Sequence, residues 1–156
     1  MKKLNPAHVT AIAKGANSCS FFSLLSMEVK SLYPGESLLQ VNLQEKHLQL
    51  FGVAHGGVCA SLIDTAIFWA VYADMEEVLG LTTVEIKLNY LSPVSRGLLI
   101  ARGKSIKAGK TICLGEARVE DDKGTLVAHG TSTLMVLDSS KLKMEDYFQL
   151  PPKFTD

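Results

Sequence analysis

Hydrophobic and polar side chains alternate along most of the chain with a period of two residues. Such alternation is typical of strands that have one buried face. It predicts strands over 27–32, 37–43, 83–91, 98–107, 111–120 and 125–137. The pattern is most regular in 83–91, where the apolar residues Val84, Ile86, Leu88 and Tyr90 are separated by polar ones. Turn signals at 33–35, 108–109 and 121–124 mark the ends of several of these strands.

One segment breaks the alternation, because residues 53–73 are apolar almost without interruption. Their length suits a membrane span, but Asp64 lies in the middle, where a lone carboxylate costs roughly 2.5–3.5 kcal/mol in lipid. Gly56 and Gly57 are typical of the start of a helix and not of its interior. We therefore predict a helix over about 56–75 that is apolar on nearly all sides and enclosed within a soluble domain.

The order of elements is strand, strand, long helix and then four strands, which we expect to form a meander. An antiparallel sheet of about six strands curled around the helix satisfies both patterns and gives an α+β fold. The length of 156 residues suits one domain, which we expect to cover 1–137. Residues 1–25 are an N-terminal extension, with a helix over 5–15 and a short helix or turn over 21–25. Residues 138–156 form a charged, loosely attached tail.

Charge narrows the range of functions. The chain has 16 basic and 16 acidic residues, and zero net charge opposes general nucleic-acid binding, which needs a basic field. The balance is local, however, because the stretch from Ser95 to Gly115 holds five cations and no acid. These cations are Arg96, Arg102, Lys104, Lys107 and Lys110. They suggest an anion-binding site, for which Lys107 and Lys110 are best placed because they lie at the end of a hairpin.

Cysteine and histidine usage bears on compartment and metal binding. Three widely spaced cysteines, without a CxxC pair, favour a reducing cytoplasm over a disulfide framework. The N-terminal segment lacks the apolar core of a signal peptide, because Pro6 and Lys14 interrupt it. His47 and His129 have no second ligand at metal-binding spacing, so we predict no metal site.

The residues most suggestive of chemistry lie at the start of the predicted helix and in its middle. The first amides of a helix lack acceptors and carry partial positive charge, so an amide at Gly56 could polarise a carbonyl and stabilise an oxyanion. His55 lies directly beside it. Asp64 is costly on an apolar helix unless it is paired or functional. It could act as a general base or as a nucleophile, or simply be satisfied by a nearby hydroxyl such as that of Thr65.

Helix geometry separates these two groups. Gly56 and Asp64 are eight residues apart, which is about 12 Å along the axis of one helix. Two groups that act on one carbonyl must both lie within roughly 3–3.5 Å of it. If both act together, Gly56 of one subunit must therefore face Asp64 of another, which predicts a homodimer with composite sites.

The same segment carries a family resemblance. Residues 52–64 (GVAHGGVCASLID), 89–93 (NYLSP) and 109–111 (GKT) resemble the hot-dog fold acyl-CoA thioesterases. The resemblance is to the PaaI-type (phenylacetate-pathway) and 4-hydroxybenzoyl-CoA thioesterase-like group, and it extends from about 23 to 137. It implies a hot-dog fold and hydrolysis of acyl-CoA without a cofactor. It also implies self-association as a homodimer and further as a homotetramer.

The resemblance also implies roles for individual residues. Gly56 offers the amide that binds the thioester carbonyl, Asp64 is the base or nucleophile, and His55 orients the site. Gln49 lies where relatives have Asn or Gln, and its amide positions the carbonyl or water. Thr83 lies where some relatives place a hydroxyl near the attacking water.

The substrate is expected to contact a second set of residues, which are Gly57, Lys107, Lys110 and Arg96. An alternative of a different class is a non-catalytic protein that binds or senses acyl-CoA on the same fold. A hydratase would require an acid–histidine pair at a different spacing on the helix. His55 has a structural alternative as well, in which it only hydrogen-bonds the following loop.

Overall fold

A twisted antiparallel sheet and one long helix make up most of the computed structural model, which describes residues 3–76, 80–137 and 149–155. The helices of these ranges are α1 (Pro6–Asn17), α2 (Ser20–Leu25) and α3 (Gly56–Asp74), with a 3-10 turn at Glu45–His47. The strands are β1 (Lys3–Leu4), β2 (Met27–Tyr33), β3 (Glu36–Asn42), β4 (Leu81–Tyr90), β5 (Leu98–Lys107), β6 (Ile112–Glu120), β7 (Leu126–Val136) and β8 (Phe154–Thr155).

The six long strands form one sheet in the order β2-β3-β5-β6-β7-β4, and every neighbouring pair is antiparallel. The predicted meander is confirmed for β5, β6 and β7 but is wrong for β4, which pairs with β7 at the far edge. The reason is the connection over residues 91–97. It is long enough to cross the end of the sheet, where Leu91 N–H bonds to Val127 O and Leu43 N–H to Gly97 O.

The predicted enclosed helix is α3, which packs along one face of the sheet. Alternate residues of the central strands point towards it and are fully buried, as Leu99 and Ala101 are on β5. Two strand glycines let the helix approach closely: a Cβ at Gly103 would collide with the Ala66 carbonyl, and one at Gly115 would lie 2.6 Å from Ile67 Cγ2. By length and composition α3 could span a bilayer, but 61% of its apolar window is buried within the fold, as expected of a core helix.

The two ends of the chain meet, and the C-terminal segment is not loosely attached over 149–155, where that prediction is wrong. β1 pairs with β8, and Asn5 N–H donates to Lys153 O at 2.8 Å. Lys153 is only 5% exposed, and its ammonium donates to the carbonyls of Tyr72 and Met75 at the end of α3. The attachment has a clear cause, because the last carbonyls of a helix need donors from elsewhere. Residues 138–148 of the predicted tail lie outside the described residues.

His8 of α1 completes this contact between the chain ends. Its Nδ1 lies 2.7 Å from Pro151 O and its Nε2 lies 2.8 Å from the Tyr72 hydroxyl. The ring is 1% exposed, and burial, followed by the nearby Lys153 charge, lowers the pKa of His8 although the Pro151 hydrogen bond opposes the shift. Burial likewise lowers the pKa of Lys153 to about 8, against the opposing effect of Asp74.

We expect His8 to make stability fall in acid. Because the fold disfavours the imidazolium, the stabilisation by the neutral ring is complete above the unfolded pKa of 6.5 and is lost as the pH falls below it. Thermal unfolding between pH 7 and pH 5 should therefore show a steeper fall in Tm for the wild type than for His8→Gln, whose amide can bond to both neighbours. His129→Gln, altered at a half-buried strand residue, should keep the wild-type slope. Equal slopes for wild type and His8→Gln would contradict this role.

Candidate active site

The start of α3 has a backbone donor that meets no acceptor in the described part of the chain. His55 is the N-cap residue: its Nδ1 accepts from Gly57 N–H at 2.8 Å, and its carbonyl accepts from Val58 N–H at 2.9 Å. The Gly56 N–H finds no acceptor among the described residues. An unsatisfied donor at the positive end of a helix is suited to bind a carbonyl oxygen or an oxyanion.

That donor lies beside an apolar cavity of about 420 Å³. The walls come from the loop before α3, from the first turn of α3, from β7 and from the crossing connection after β4. The lining residues are Val53, Ala54, Gly56, Cys59, Tyr90, Leu91, Ser92, Pro93, Val94 and Val127. Tyr90 covers Gly56 most closely, since a Cβ added there would lie 3.1 Å from the tyrosine ring. Burial raises the pKa of Cys59 to about 11, so this thiol stays protonated at neutral pH and serves as wall.

The N-cap hydrogen bond also fixes the state of the His55 ring. Because Nδ1 accepts from Gly57 N–H, the proton of the neutral imidazole must lie on Nε2. Nε2 makes no hydrogen bond with any described residue, and the side chain is exposed. The cap hydrogen bond gives His55 a structural role, and its second ring nitrogen remains available to a ligand.

Asp64 lies on α3 with its carboxylate fixed from the sheet. The Thr83 hydroxyl of β4 donates to Asp64 Oδ1 at 2.8 Å, and the side chain is half-buried. The hydroxyl that pairs with Asp64 is thus that of Thr83 and not that of Thr65. Within the described part of the chain Oδ2 has no partner, so one carboxylate oxygen remains free to accept a proton.

One protomer does not bring Gly56 and Asp64 together, because they lie on one straight helix about 12 Å apart. The face of α3 that carries Asp64 is incompletely covered, in contrast to its buried sides. Its incompletely buried residues are Gly57, Ala60, Ser61, Asp64, Thr65 and Phe68. The adjacent β4 is an edge strand, with Val84 54% and Ile86 37% exposed. An uncovered helix face beside a free strand edge is a surface on which a second chain can pack.

Gln49 stabilises a protruding loop in front of α3. Its side-chain Oε1 accepts from Phe51 N–H at 2.7 Å, and its carbonyl accepts from Gly52 N–H at 2.9 Å. The loop tip presents Leu50, which is 99% exposed, and Phe51, which is 88% exposed. The Gln49 amide nitrogen has no partner among the described residues. In one protomer the side chain therefore shapes this tip.

Within one protomer the structure separates Arg96 from Lys107 and Lys110, so these three predicted substrate-binding cations do not form one group. Arg96 lies near the start of β5, whereas Lys107 ends that strand and Lys110 follows it. Ten residues of strand separate the two ends by about 30 Å at ~3.3 Å per residue. His47 is buried, with Nδ1 accepting from Gln44 N–H and Nε2 lying 2.8 Å from Leu25 O, so its role is structural.

The wall of the cavity contains residues that the sequence patterns did not indicate. The sequence patterns placed Leu91 at the end of the strand over 83–91 and assigned no element to 92–97. The length of that segment, which includes Pro93, was the available signal that the connection is not a tight hairpin. Crossing the end of the sheet places it against the first turn of α3.

Comparison with known proteins identifies the family. A family model described as the thioesterase superfamily matches residues 51–128, which is half of the chain and includes the cavity, Asp64 and Thr83. The chain belongs to the thioesterase superfamily. The predicted resemblance to hot-dog thioesterases is thereby confirmed, and so is the α+β fold of a sheet around one long helix.

Individual thioesterases align over most of their length. The 1,4-dihydroxy-2-naphthoyl-CoA hydrolase of Listeria monocytogenes is 27% identical over 117 residues, covering 75% of this chain and 95% of that protein. Human acyl-coenzyme A thioesterase 13 is 27% identical over 105 residues, covering 66% and 74% respectively. The crystal structure of thioesterase HI1161 from Haemophilus influenzae superposes with a TM-score of 0.79 at 25% identity, covering 88% of this thioesterase and 96% of that chain.

Proposed function

We propose that this thioesterase hydrolyses acyl-CoA, with the Gly56 amide of one subunit and Asp64 of a second subunit acting on the same thioester. The observation that carries the proposal is the unsatisfied Gly56 N–H beside an apolar cavity. A free carboxylate oxygen on an uncovered face of the same helix supplies the second group. The CoA thioesters named for the Listeria and human relatives support the substrate class.

The composite site requires two α3 helices to pack antiparallel. If Gly56 faces the partner's Asp64, the midpoint of the contact falls at Ala60, which meets its own counterpart. The incompletely buried face of α3 and the free β4 edge with its exposed Val84 and Ile86 would both be covered. Burying such apolar side chains contributes about 25 cal/mol per Å². The dimer would therefore be stabilised by the same contact that completes the site.

Hydrolysis follows from these groups and water alone, without a cofactor. The thioester oxygen accepts from Gly56 N–H, which makes the carbonyl carbon more electrophilic. With Asp64 as base, Oδ2 takes a proton from water while the water oxygen bonds to that carbon. The tetrahedral intermediate then collapses, the C–S bond breaks, and the thiolate leaves and takes up a proton. With Asp64 as nucleophile, an anhydride forms first and water then cleaves it.

Neighbouring side chains would assist this step. The Thr83 hydroxyl holds Asp64 Oδ1 and leaves Oδ2 to accept a proton. The Nε2–H of His55 lies next to Gly56 and is placed to donate to the substrate, and Gln49 has a free amide nitrogen on the loop before it. Gly57 allows close approach because it has no side chain, while its amide donates to His55 and not to the substrate.

The charged part of CoA needs cations, and the dimer would bring two groups of them to the same end. Arg96 lies close to Val94, which bonds the segment just before α3, and the hairpin with Lys107 and Lys110 follows Ser105, which bonds Asp74 at the end of α3. An antiparallel partner reverses this order, so its hairpin comes to the end that holds Arg96. The phosphates would then be bound between subunits.

Thiol release from a panel of short-chain, long-chain and aryl acyl-CoAs tests the proposed function. We expect the purified protein to release CoA from at least one class, in reducing buffer because its cysteines Cys19, Cys59 and Cys113 are free thiols suited to the cytoplasm. No metal or cofactor should need to be added. Tight binding of acyl-CoA without release would contradict hydrolysis and support the acyl-CoA-binding alternative.

A further inference from the structure

Three aromatic rings of α3 connect the contact between the two chain ends to the incompletely covered face of the helix. Tyr72 packs edge-on against Trp69 at 5.5 Å between ring centroids, and Trp69 packs edge-on against Phe68 at 5.0 Å. Tyr72 is 1% exposed and Trp69 is 6% exposed. Rings packed this tightly cannot move independently, because protein interiors are close-packed. We call Tyr72, Trp69 and Phe68 the aromatic chain.

The inner end of the aromatic chain is fixed by groups from both ends of the polypeptide. His8 stacks on Tyr72 and meets its hydroxyl through Nε2 at 2.8 Å. Lys153 lies 4.4 Å from the centre of the Tyr72 ring, and it also donates to the Tyr72 and Met75 carbonyls. His8, Pro151 and Lys153 together form what we call the terminal clasp. It holds both the last turn of α3 and the ring of Tyr72.

The outer end of the aromatic chain is Phe68, which is half-buried on the incompletely covered face of α3. It follows Asp64 by one turn, about 6 Å along the axis. In the composite site, Phe68 therefore lies just beyond the partner's Gly56. An apolar ring at this place suits the acyl group of the substrate and not the charged CoA.

We infer that the terminal clasp positions Phe68 through Tyr72 and Trp69, and thereby sets which acyl groups the thioesterase accepts. The selectivity part rests on the proposed function. His8 and Lys153 touch no substrate, so they are positioning residues. Without the clasp the last turn of α3 loses its donors, Tyr72 and Trp69 gain room, and Phe68 is no longer a fixed wall.

Two variants of the full-length protein test the coupling. Lys153→Met removes the donor to the helix end, and Tyr72→Phe removes only the hydroxyl that meets His8. Leu39→Val is the matched control, since Leu39 is fully buried on β3 and belongs to neither the clasp nor the aromatic chain. Trp69 is the sole tryptophan of the protein, so its fluorescence reports on the middle of the aromatic chain directly.

We expect both test variants to shift the Trp69 emission and to reduce discrimination between phenylacetyl-CoA and hexanoyl-CoA. The ratio of the kcat/KM values for the two substrates should change by about fivefold and so come closer to one. Most of this change should come from changes in KM. Leu39→Val should change neither quantity. Unchanged emission in folded Lys153→Met and Tyr72→Phe would overturn the coupling, even if the wild type hydrolysed no acyl-CoA and the proposed function failed. The role in selectivity would be overturned if the Trp69 emission shifted while the ratio of the two kcat/KM values stayed the same. It would also be overturned if Leu39→Val changed that ratio as much as the test variants do.

Discussion

Replacing Asp64 with asparagine is expected to lower kcat for thioester hydrolysis by about 10²–10⁴-fold, the usual contribution of a positioned acid–base group. The amide has the same shape and can still accept the Thr83 hydrogen bond, so the fold should be kept. It cannot take a proton from water, nor form an anhydride. Initial rates of thiol release with the best substrate of the panel measure the effect, and KM should change little.

Asp74 offers a matched control on the same helix. Its carboxylate accepts from the Ser105 hydroxyl at 2.8 Å, as that of Asp64 accepts from Thr83. Asp74→Asn removes the same charge at the far end of α3 and should leave kcat within about twofold of wild type. Full turnover by folded Asp64→Asn would exclude this carboxylate as base or nucleophile.

Replacing Gly56 with proline is expected to lower kcat by about 10²–10³-fold, the effect of removing one oxyanion-binding donor. Proline lacks the N–H that we assign to the thioester oxygen. It is well tolerated at the first position of a helix, and His55, with φ −64° and ψ 137°, already has the backbone conformation that precedes proline. The change should therefore remove the donor and leave the fold intact, which circular dichroism and thermal unfolding can verify.

The Gly56→Ala variant distinguishes the effect of losing the N–H donor from the effect of adding a Cβ next to Tyr90. Both substitutions add a Cβ that meets the Tyr90 ring at 3.1 Å, but alanine keeps the N–H. Tyr90 is 59% exposed, so its ring can move by the few tenths of an ångström required. The kcat of Gly56→Ala should therefore stay within about tenfold of wild type, a smaller loss than that expected when the donor is missing. Equal losses in the alanine and proline variants would assign the effect to crowding and not to the amide.

Local patterns predicted most of the fold because each long element carries its own periodicity. The uniform apolar stretch predicted α3, observed at Gly56–Asp74, and the regular alternation in 83–91 predicted β4, observed at Leu81–Tyr90. Pairing between distant segments has no such local signal. The contact of β4 with β7, and of two-residue β1 with β8, depends on where the chain crosses the sheet and on buried groups such as Lys153.

In the candidate site, too, features with a local sequence signal were predicted and features that depend on distant contacts were not. A glycine pair before an apolar run indicated the helix start, and a lone acid on that helix indicated Asp64. The contact of Tyr90 and Leu91 with the first turn of α3 has no local signal, since it arises only when residues 91–97 cross the end of the sheet. The separation of Arg96 from Lys110 follows from the predicted strand over 98–107, because residues that flank an extended strand lie at its opposite ends.

Complementation between inactive variants tests the composite site most directly. Gly56→Pro and Asp64→Asn chains, co-expressed with different tags and purified as the mixed dimer, would form one site from the intact Gly56 of one chain and the intact Asp64 of the other. We predict that this heterodimer recovers about half of the wild-type activity, since one of its two symmetric sites is intact, while each parent homodimer stays inactive. A heterodimer as inactive as its parents would contradict a site shared between subunits.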